Sequence, residues 1–322
     1  MKPFVCCVVL SLLSVVAAVA EVHAGEAALW APQPTAQVVS EPIGEMSGIV
    51  RSRGRDNTFW VHNDSGDSAR IFAITADGTS ILPTYSKFTS YGDKPQDGKE
   101  QWQGFPVLNA ENVDWEDIAV DEHYLYVADT GNNANARRDL GIYLISEIDP
   151  TASTRSAVIQ HLPVVYPEQT EFPPALKHFD SESLFTFNGT LYLITKHRGG
   201  GVTGLDFEPG ANLYRLDTRY ADQPNLLVKI DSHPEILAAT GADVSPDGNM
   251  LAVASVDALW LFSRPVDGSD HWLSGPSKHY PFDRSVVKQL EAITWIDNDT
   301  LLLGNEQRDL FRIPLSALPP YP

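Results

Sequence analysis

The sequence of 322 residues contains only two cysteines, Cys6 and Cys7, and both lie near its amino terminus. The rest of the chain therefore has no disulfide bond and offers no thiolate ligand to a metal ion. An exported protein of this size without disulfides is more typical of the bacterial periplasm or medium than of a eukaryotic secretory pathway.

Positive charge is scarce as well, because the sequence has 23 Lys and Arg residues but 42 Asp and Glu residues. Its formal net charge is -19. Nucleic acids and anionic membrane surfaces are bound by basic protein faces, so neither is expected as the main partner. An acidic surface either keeps a protein soluble or attracts cations.

One long apolar run is present, at residues 4–20, with Lys2 before it and the small-residue sequence VHA at 22–24 after it. This pattern predicts a signal peptide over residues 1–24 and a single domain over residues 25–322. The run is short for a membrane-spanning helix. We therefore expect an exported monomer, periplasmic or extracellular, without a membrane span.

Helical periodicity is absent, and short apolar runs recur instead. Residues 112–133 (NVDWEDIAVDEHYLYVADTGNN) predict two antiparallel strands joined by a turn at 121–123, with carboxylates at both outer ends. Similar sets of three runs begin near residues 47, 116, 182, 242 and 291. Each third run carries an aromatic residue at the same place: Phe72, Tyr143, Tyr214, Trp260 and Phe311.

These five repeats predict an all-β fold, a β-propeller of five blades. Six blades are the alternative if residues 81–111 contain a degenerate blade, and an antiparallel sandwich is the alternative architecture. A strand candidate at 36–43 precedes the first repeat. By pairing with the last blade, this N-terminal strand would close the ring and remove free strand edges.

Most polar residues that precede a first strand or follow a second strand are carboxylates, and in a propeller these positions open on the same mouth. Carboxylates that face one another raise each other's pKa unless a cation neutralises them. Oxygen ligands without cysteine or a histidine pair favour calcium over zinc or copper. The predicted Ca²⁺ ligands are Asp64, Asp114, Glu116, Asp117, Asp129, Glu182, Asp243 and Glu291. The alternative is that such residues only form turns.

A basic group ends the second strand of the third repeat, at Lys196, His197 and Arg198, and His62 ends that of the first. The cations can hold a small anionic substrate, and a histidine can act as a general base. Charge compensation and ordinary packing are the alternatives. Nucleophile-elbow, HExxH, P-loop and dinucleotide-binding motifs are all missing.

Three motifs together, HNDSGD at 62–67, DWEDIA at 114–119 and DTGNN at 129–133, resemble a mostly uncharacterised group of exported bacterial β-propeller proteins. More distantly, DWE at 114–116 and DSE at 180–182 are similar to esterase-like, phytase-associated propellers, and the layout is similar to gluconolactonase-type propellers. For those relatives the resemblance implies a divalent metal in the central mouth, often with phosphoester or lactone hydrolysis. This sequence departs from them in lacking a phytase-type motif and in having Asp243 where a Glu is expected.

Two functions fit these observations. The first is a module that binds a carbohydrate or a protein ligand, with calcium as a structural ion. The second is a metal-dependent hydrolase of a small anionic ester, phosphoester or lactone, in which Lys196 or Arg198 steadies developing negative charge. An exposed shelf of aromatic residues would indicate the first function, and a cationic wall beside the carboxylates would indicate the second. The aromatic candidates are Tyr91, Trp102, Phe105 and Trp115, although packing between blades is the favoured interpretation of Trp115.

Overall fold

The structure is a computed structural model that describes residues 29–85, 87–89, 99–199 and 206–320. The predicted signal peptide lies outside these residues. Helix within them is limited to the single turn α1 (Arg284–Val287) and to two 3₁₀ turns, Trp272–Ser274 and Leu315–Ala317. None of the helices in the described ranges has the length and apolar character needed to cross a membrane.

Strands make up most of the described chain, because its short apolar runs are broken by polar turns. The first strands along the chain are β1 (Ala36–Gln37), β2 (Met46–Arg51), β3 (Phe59–Asn63), β4 (Arg70–Ile74) and β5 (Ser80–Ile81). Three short strands follow: β6 (Phe88–Thr89), β7 (Glu100–Gln101) and β8 (Phe105–Leu108). The second repeat contains β9 (Trp115–Val120), β10 (Tyr124–Asp129), β11 (Gly141–Ser146) and β12 (Ser156–Val165).

The remaining repeats are built in the same way. The third contains β13 (Lys177–Phe187), β14 (Thr190–Arg198), β15 (Phe207–Leu216) and β16 (Asn225–Leu237). The fourth contains β17 (Ala239–Val244), β18 (Met250–Ser255), β19 (Ala258–Ser263) and β20 (Ser277–Pro281). The fifth contains β21 (Leu290–Asp297), β22 (Thr300–Asn305) and β23 (Asp309–Pro314).

Within each repeat, strands that are consecutive in sequence pair antiparallel. The first strands of the repeats contact one another in a cyclic order, β2 to β9, β13, β17, β21 and back to β2. Strands that pack around a common axis in this way define a β-propeller, and the all-β prediction is confirmed. The interpretation as five blades rests on the five sequence repeats.

The amino-terminal strand is shorter than predicted but lies at the predicted edge. Only Ala36 and Gln37 of the 36–43 candidate are in a strand, and they pair with Leu310 and Asp309 of β23. The last repeat thereby gains a fourth strand from the start of the domain, which covers an edge that would otherwise be free.

The insertion at 81–111 contributes few strands in its described residues. The strands β6 and β7 form a parallel pair, whereas β8 pairs with β4 and with β12. β8 therefore connects the outer strands of the first two repeats, and the part of the insertion that the structure describes contains no four-stranded unit.

The aromatic residues of the third strands pack between neighbouring repeats. Four of the five predicted positions are buried, namely Phe72, Tyr214, Trp260 and Phe311, whereas Tyr143 is half-buried. Burying each large ring contributes roughly 1.5–3 kcal/mol relative to leaving it in water. This packing fixes the first strands around the axis, and so fixes where the polar residues at their ends meet.

Candidate functional site

Five carboxylates meet at one end of the channel, and we call them the acidic mouth: Asp64, Asp114, Glu116, Asp180 and Glu182. Carboxylate oxygens of Asp64, Asp114 and Glu116 lie within 4.8 Å of one another, and so do those of Glu116, Asp180 and Glu182. Glu116 belongs to both groups and is therefore the centre of the cluster. Asp64 follows β3, and Asp114 and Glu116 lie at the start of β9, as the hairpin pattern predicts, whereas Asp180 and Glu182 lie within the longer β13.

Two of these carboxylates, Asp180 and Glu182, are neutralised by cations from β14, and we call them the paired half. Lys196 forms an ion pair with Glu182, and its Nζ lies 3.7 Å from Oδ2 of Asp180. The Nε of Arg198 donates a hydrogen bond of 2.7 Å to the same Oδ2 of Asp180. Both basic side chains are buried, so these ion pairs are removed from water. Loss of one partner would leave an uncompensated buried charge on the other.

The other part, Asp64, Asp114 and Glu116, has no such partner among the described residues, and we call it the unpaired half. Glu116 is only 4% exposed. No hydrogen-bond donor within the described ranges reaches its carboxylate. Burial raises the pKa of Glu116 well above its usual range; the attraction of Lys196 opposes this shift, and repulsion by Asp64 and Asp114 adds to it.

The pKa values of the other two carboxylates of the unpaired half are raised as well. Burial raises the pKa of Asp114 to about 6, with further contributions from Asp64 and Asp180. Burial also raises the pKa of Asp64. Glu291, at the start of β21, belongs to the same surroundings, because burial followed by repulsion from Glu306 and Asp64 raises its pKa. This side of the mouth therefore holds more negative charge than the protein itself neutralises.

The DTGNN motif forms the loop that covers the cluster. A Cβ at Gly131 would collide with the carboxylates of Asp114 and Glu116, which explains the glycine. The backbone N–H of Asn132 donates a hydrogen bond of 2.7 Å to Asp180, and the Thr130 hydroxyl donates one of 3.0 Å to the carbonyl of Ser181. The loop thus fixes the second and third repeats against each other at the acidic mouth.

Three of the predicted metal ligands already interact with other groups of the protein through hydrogen bonds or an ion pair. Asp117 accepts hydrogen bonds from the backbone of Leu184 at 2.7 Å and Ile118 at 2.8 Å. Asp243 accepts one from the Trp295 backbone at 2.9 Å. Each carboxylate thereby connects its first strand to the next repeat.

Asp129 is also occupied, since it pairs with Arg137 at 2.9 Å and accepts a hydrogen bond from the Asp114 backbone at 3.0 Å. The structure therefore brings Asp64, Asp114, Glu116 and Glu182 together, with Glu291 nearby. It does not bring Asp117, Asp129 or Asp243 into either carboxylate group. Asp180, which completes the cluster, was absent from the predicted ligand set, although the DSE motif contains it.

Neither predicted histidine base donates to or accepts from a carboxylate of the acidic mouth within the described residues. His62 is buried with its ring edge-on to Trp115, and burial lowers its pKa to about 4. The ring of His197 stacks on that of His178, with 3.6 Å between ring centroids. Burial and the neighbouring His178 lower the pKa of His197 to about 4 as well.

The predicted aromatic shelf is not formed by the described candidates. Trp102, Phe105 and Trp115 are all buried, and Trp102 packs against Phe105 with ring centroids 4.7 Å apart. Tyr91 lies outside the described residues. The exposed aromatic residue near the cations is Phe207, whose ring centroid lies 5.0 Å from Cζ of Arg198.

Searches for relatives add little to this geometry. No protein-family model matches the chain, and no curated protein sequence matches it significantly. Among solved structures, glutaminyl cyclase from Myxococcus xanthus is 10% identical with a TM-score of 0.43, over 88% of this chain and 94% of that one. A PQQ-bound aldose sugar dehydrogenase from Streptomyces coelicolor is 11% identical with a TM-score of 0.43, over 89% and 98% of the two chains.

A calcium-binding protein, regucalcin, from Agrobacterium tumefaciens is 12% identical with a TM-score of 0.41, over 87% of this chain and 77% of that one. At such TM-scores and identities these likenesses carry no argument about this chain. The propeller assignment therefore rests on the strand pairing and packing described above.

Proposed function

We propose that the unpaired half of the acidic mouth binds a divalent cation, with Asp64, Asp114 and Glu116 as ligands. The observation that carries this proposal is the buried Glu116 carboxylate, which lies between two other carboxylates without a hydrogen-bond donor. An ionised carboxylate in such surroundings costs several kcal/mol unless a positive charge compensates it. The donor set consists of carboxylate oxygens, which is the chemistry that Ca²⁺ prefers.

We propose further that the protein is a cation-dependent hydrolase of a small anionic ester, phosphoester or lactone. A bound divalent cation would supply a Lewis acid that polarises the substrate and lowers the pKa of water. Lys196 and Arg198 form a cationic wall next to the ligands; while they stay paired with Asp180 and Glu182, their N–H groups would help to hold an anionic group and to stabilise negative charge that develops in the transition state. The burial of Trp102, Phe105 and Trp115 favours this function over a glycan-binding module.

Export from the cell agrees with this proposal, because extracellular calcium sites operate at roughly 10⁻⁴–10⁻³ M Ca²⁺. The predicted signal peptide would deliver the protein to such a compartment, and the net charge of -19 would help it to collect cations there.

The first test is elemental analysis of the purified protein, followed by assays with p-nitrophenyl esters, p-nitrophenyl phosphate and lactones in Ca²⁺ and in EDTA. We expect stoichiometric Ca²⁺ and turnover that EDTA abolishes. The Glu116→Gln variant should lose both Ca²⁺ binding and turnover. Glu122→Gln, an exposed glutamate on a turn between β9 and β10, is the matched control and should lose neither.

The possible results separate the two steps of the proposal. Stoichiometric Ca²⁺ without turnover on any substrate would reject the hydrolase and leave a calcium-containing binding module. A protein that binds no divalent cation at millimolar concentration would reject the cation site itself.

A further inference from the structure

A second group of metal-ligand side chains lies on β14, the strand that bears the cationic wall, and on its two neighbours β13 and β15. It consists of His178 on β13, His197 on β14 and Glu208 on β15, and we call it the histidine cluster. His197 lies between Lys196 and Arg198 in sequence. Since successive side chains of a strand point to opposite faces, its ring is directed away from these two cations. The sequence shows no histidine pair at ligand spacing, but the pairing of β13 with β14 creates one.

The three residues lie close enough together to reach a single ion. One ligand-type atom from each of the three residues lies within 4.8 Å of the other two. Nε2 of His178 lies 2.5 Å from Oε1 of Glu208, so the carboxylate and one imidazole are already in contact. All three side chains are half-buried, which leaves a path for an ion from solvent.

One ring nitrogen of the cluster has no protein partner. Nε2 of His197 is buried and makes no hydrogen bond to any described residue. Its other nitrogen, Nδ1, lies against Gly210, where a Cβ would collide with the ring and where φ is +138°. A buried polar atom without a partner costs about 1–3 kcal/mol. A ligand that accepts the lone pair of Nε2 would remove this cost.

We propose that His178, His197 and Glu208 bind a transition-metal ion of the Zn²⁺ type, at a site separate from the acidic mouth. Two imidazoles and one carboxylate are a common ligand set for Zn²⁺, whereas Ca²⁺ takes oxygen ligands. Three protein ligands leave one coordination position for water or another small ligand. This site does not depend on the proposed hydrolase function.

Binding requires a local rearrangement that can be observed. The two imidazole rings are parallel to within 5° and 3.6 Å apart, so the in-plane lone pairs of both cannot meet at one ion. One ring must turn about its Cβ–Cγ bond, and the hydrogen bond between His178 and Glu208 must be replaced by metal ligation. The histidine stack should therefore open when the metal binds.

The test uses Zn²⁺ titration by calorimetry and Co²⁺ titration by visible absorption, with the full domain kept in saturating Ca²⁺. We expect one Zn²⁺ or Co²⁺ per chain, a Co²⁺ spectrum that shows nitrogen ligation, and shifts in the NMR signals of two histidines. His197→Ala should weaken binding by about 10–100-fold or more, since even the loss of an outer partner has that effect. His271→Ala, which removes an exposed histidine elsewhere, should leave the affinity unchanged.

Glu208→Gln provides a second variant that preserves side-chain size, and its side chain is 45% exposed, so the fold should tolerate it. It should weaken Zn²⁺ binding, while Asp114→Asn at the acidic mouth should not. Unchanged affinity in both His197→Ala and Glu208→Gln would overturn the proposal. Absence of Zn²⁺ and Co²⁺ binding below millimolar concentration would overturn it as well.

Discussion

The two halves of the acidic mouth both contain an Asp-x-Glu motif, but only one half is neutralised by cations of the described residues. The DWE motif at 114–116 and the DSE motif at 180–182 occupy equivalent places, since Trp115 pairs with Asp129 and Ser181 pairs with Thr195. By this register, the position equivalent to Lys196 is Thr130. A hydroxyl in one repeat therefore stands where the next repeat has a cation.

This difference separates structural compensation from ligand binding. In the paired half, Lys196 and Arg198 neutralise Asp180 and Glu182 from within the protein. In the unpaired half, Thr130 gives its hydrogen bond to the Ser181 carbonyl, and the nearby Arg137 pairs with Asp129. In the proposed site, an external cation would compensate Asp114 and Glu116. The predictions below test this contrast.

The largest effect is expected from the paired half. Lys196→Met removes a buried cation and leaves Glu182 with only the longer contact to Arg198, at 3.8 Å, so the free energy of unfolding should fall by about 3–5 kcal/mol. Urea denaturation at pH 7 measures this loss. Adding Glu182→Gln should restore part of the stability. A single variant as stable as the wild type would contradict the structural role of the ion pair.

Removal of the cation should have the next largest effect. An ion present at 100 times its dissociation constant stabilises the folded protein by about 2.7 kcal/mol. Transfer from Ca²⁺ to EDTA at neutral pH should therefore lower the melting temperature of the wild type. Lys196→Met retains the unpaired half and should still respond to Ca²⁺. Equal melting temperatures with and without Ca²⁺ would contradict the proposed site.

Glu116→Gln should have opposite effects in the two conditions. In EDTA it replaces a carboxyl group whose ionisation is disfavoured by burial with a neutral amide of the same size, so stability should rise. In Ca²⁺ it removes a ligand, so stability should fall below that of the wild type. Thermal melts of both proteins in both buffers measure the crossover. A loss of stability in EDTA would mean that Glu116 is already compensated within the protein.

The smallest effect is a pH dependence of the cation-free protein. The pKa of Asp114 is raised from 3.8 to about 6 in the folded state, so the folded protein binds more protons than the unfolded chain between these values. Stability from this group is therefore complete below pH 3.8 and is lost as pH rises through about 6.

Asp114→Asn should remove the part of the stability loss that comes from Asp114. Melting temperatures measured in EDTA from pH 4 to 8 should therefore change less with pH in this variant than in the wild type. Ca²⁺ binding requires the ionised form, so the affinity for Ca²⁺ should rise over the same range. A Ca²⁺ affinity that is independent of pH would argue against Asp114 as a ligand.

The sequence predicted the strands and the location of much of the site. Apolar runs of strand length, separated by turn residues, are a local property, so the all-β fold followed from them. The same hairpin logic placed Asp64, Asp114, Glu116 and Glu182 near one mouth. It could not distinguish carboxylates that face the mouth from those that bind neighbouring backbone, as Asp117 and Asp243 do.

What only the tertiary structure decided is which side chain meets which. Lys196 forms an ion pair with Glu182, whereas Glu116 forms no ion pair with any described residue, although its carboxylate lies close to those of Asp64 and Asp180 from the neighbouring repeats. The stack of His178 on His197 likewise depends on the register of β13 with β14. Periodicity fixes which residues share a strand face. Electrostatic compensation acts over a few ångströms in space, so it is settled only when the strands have packed.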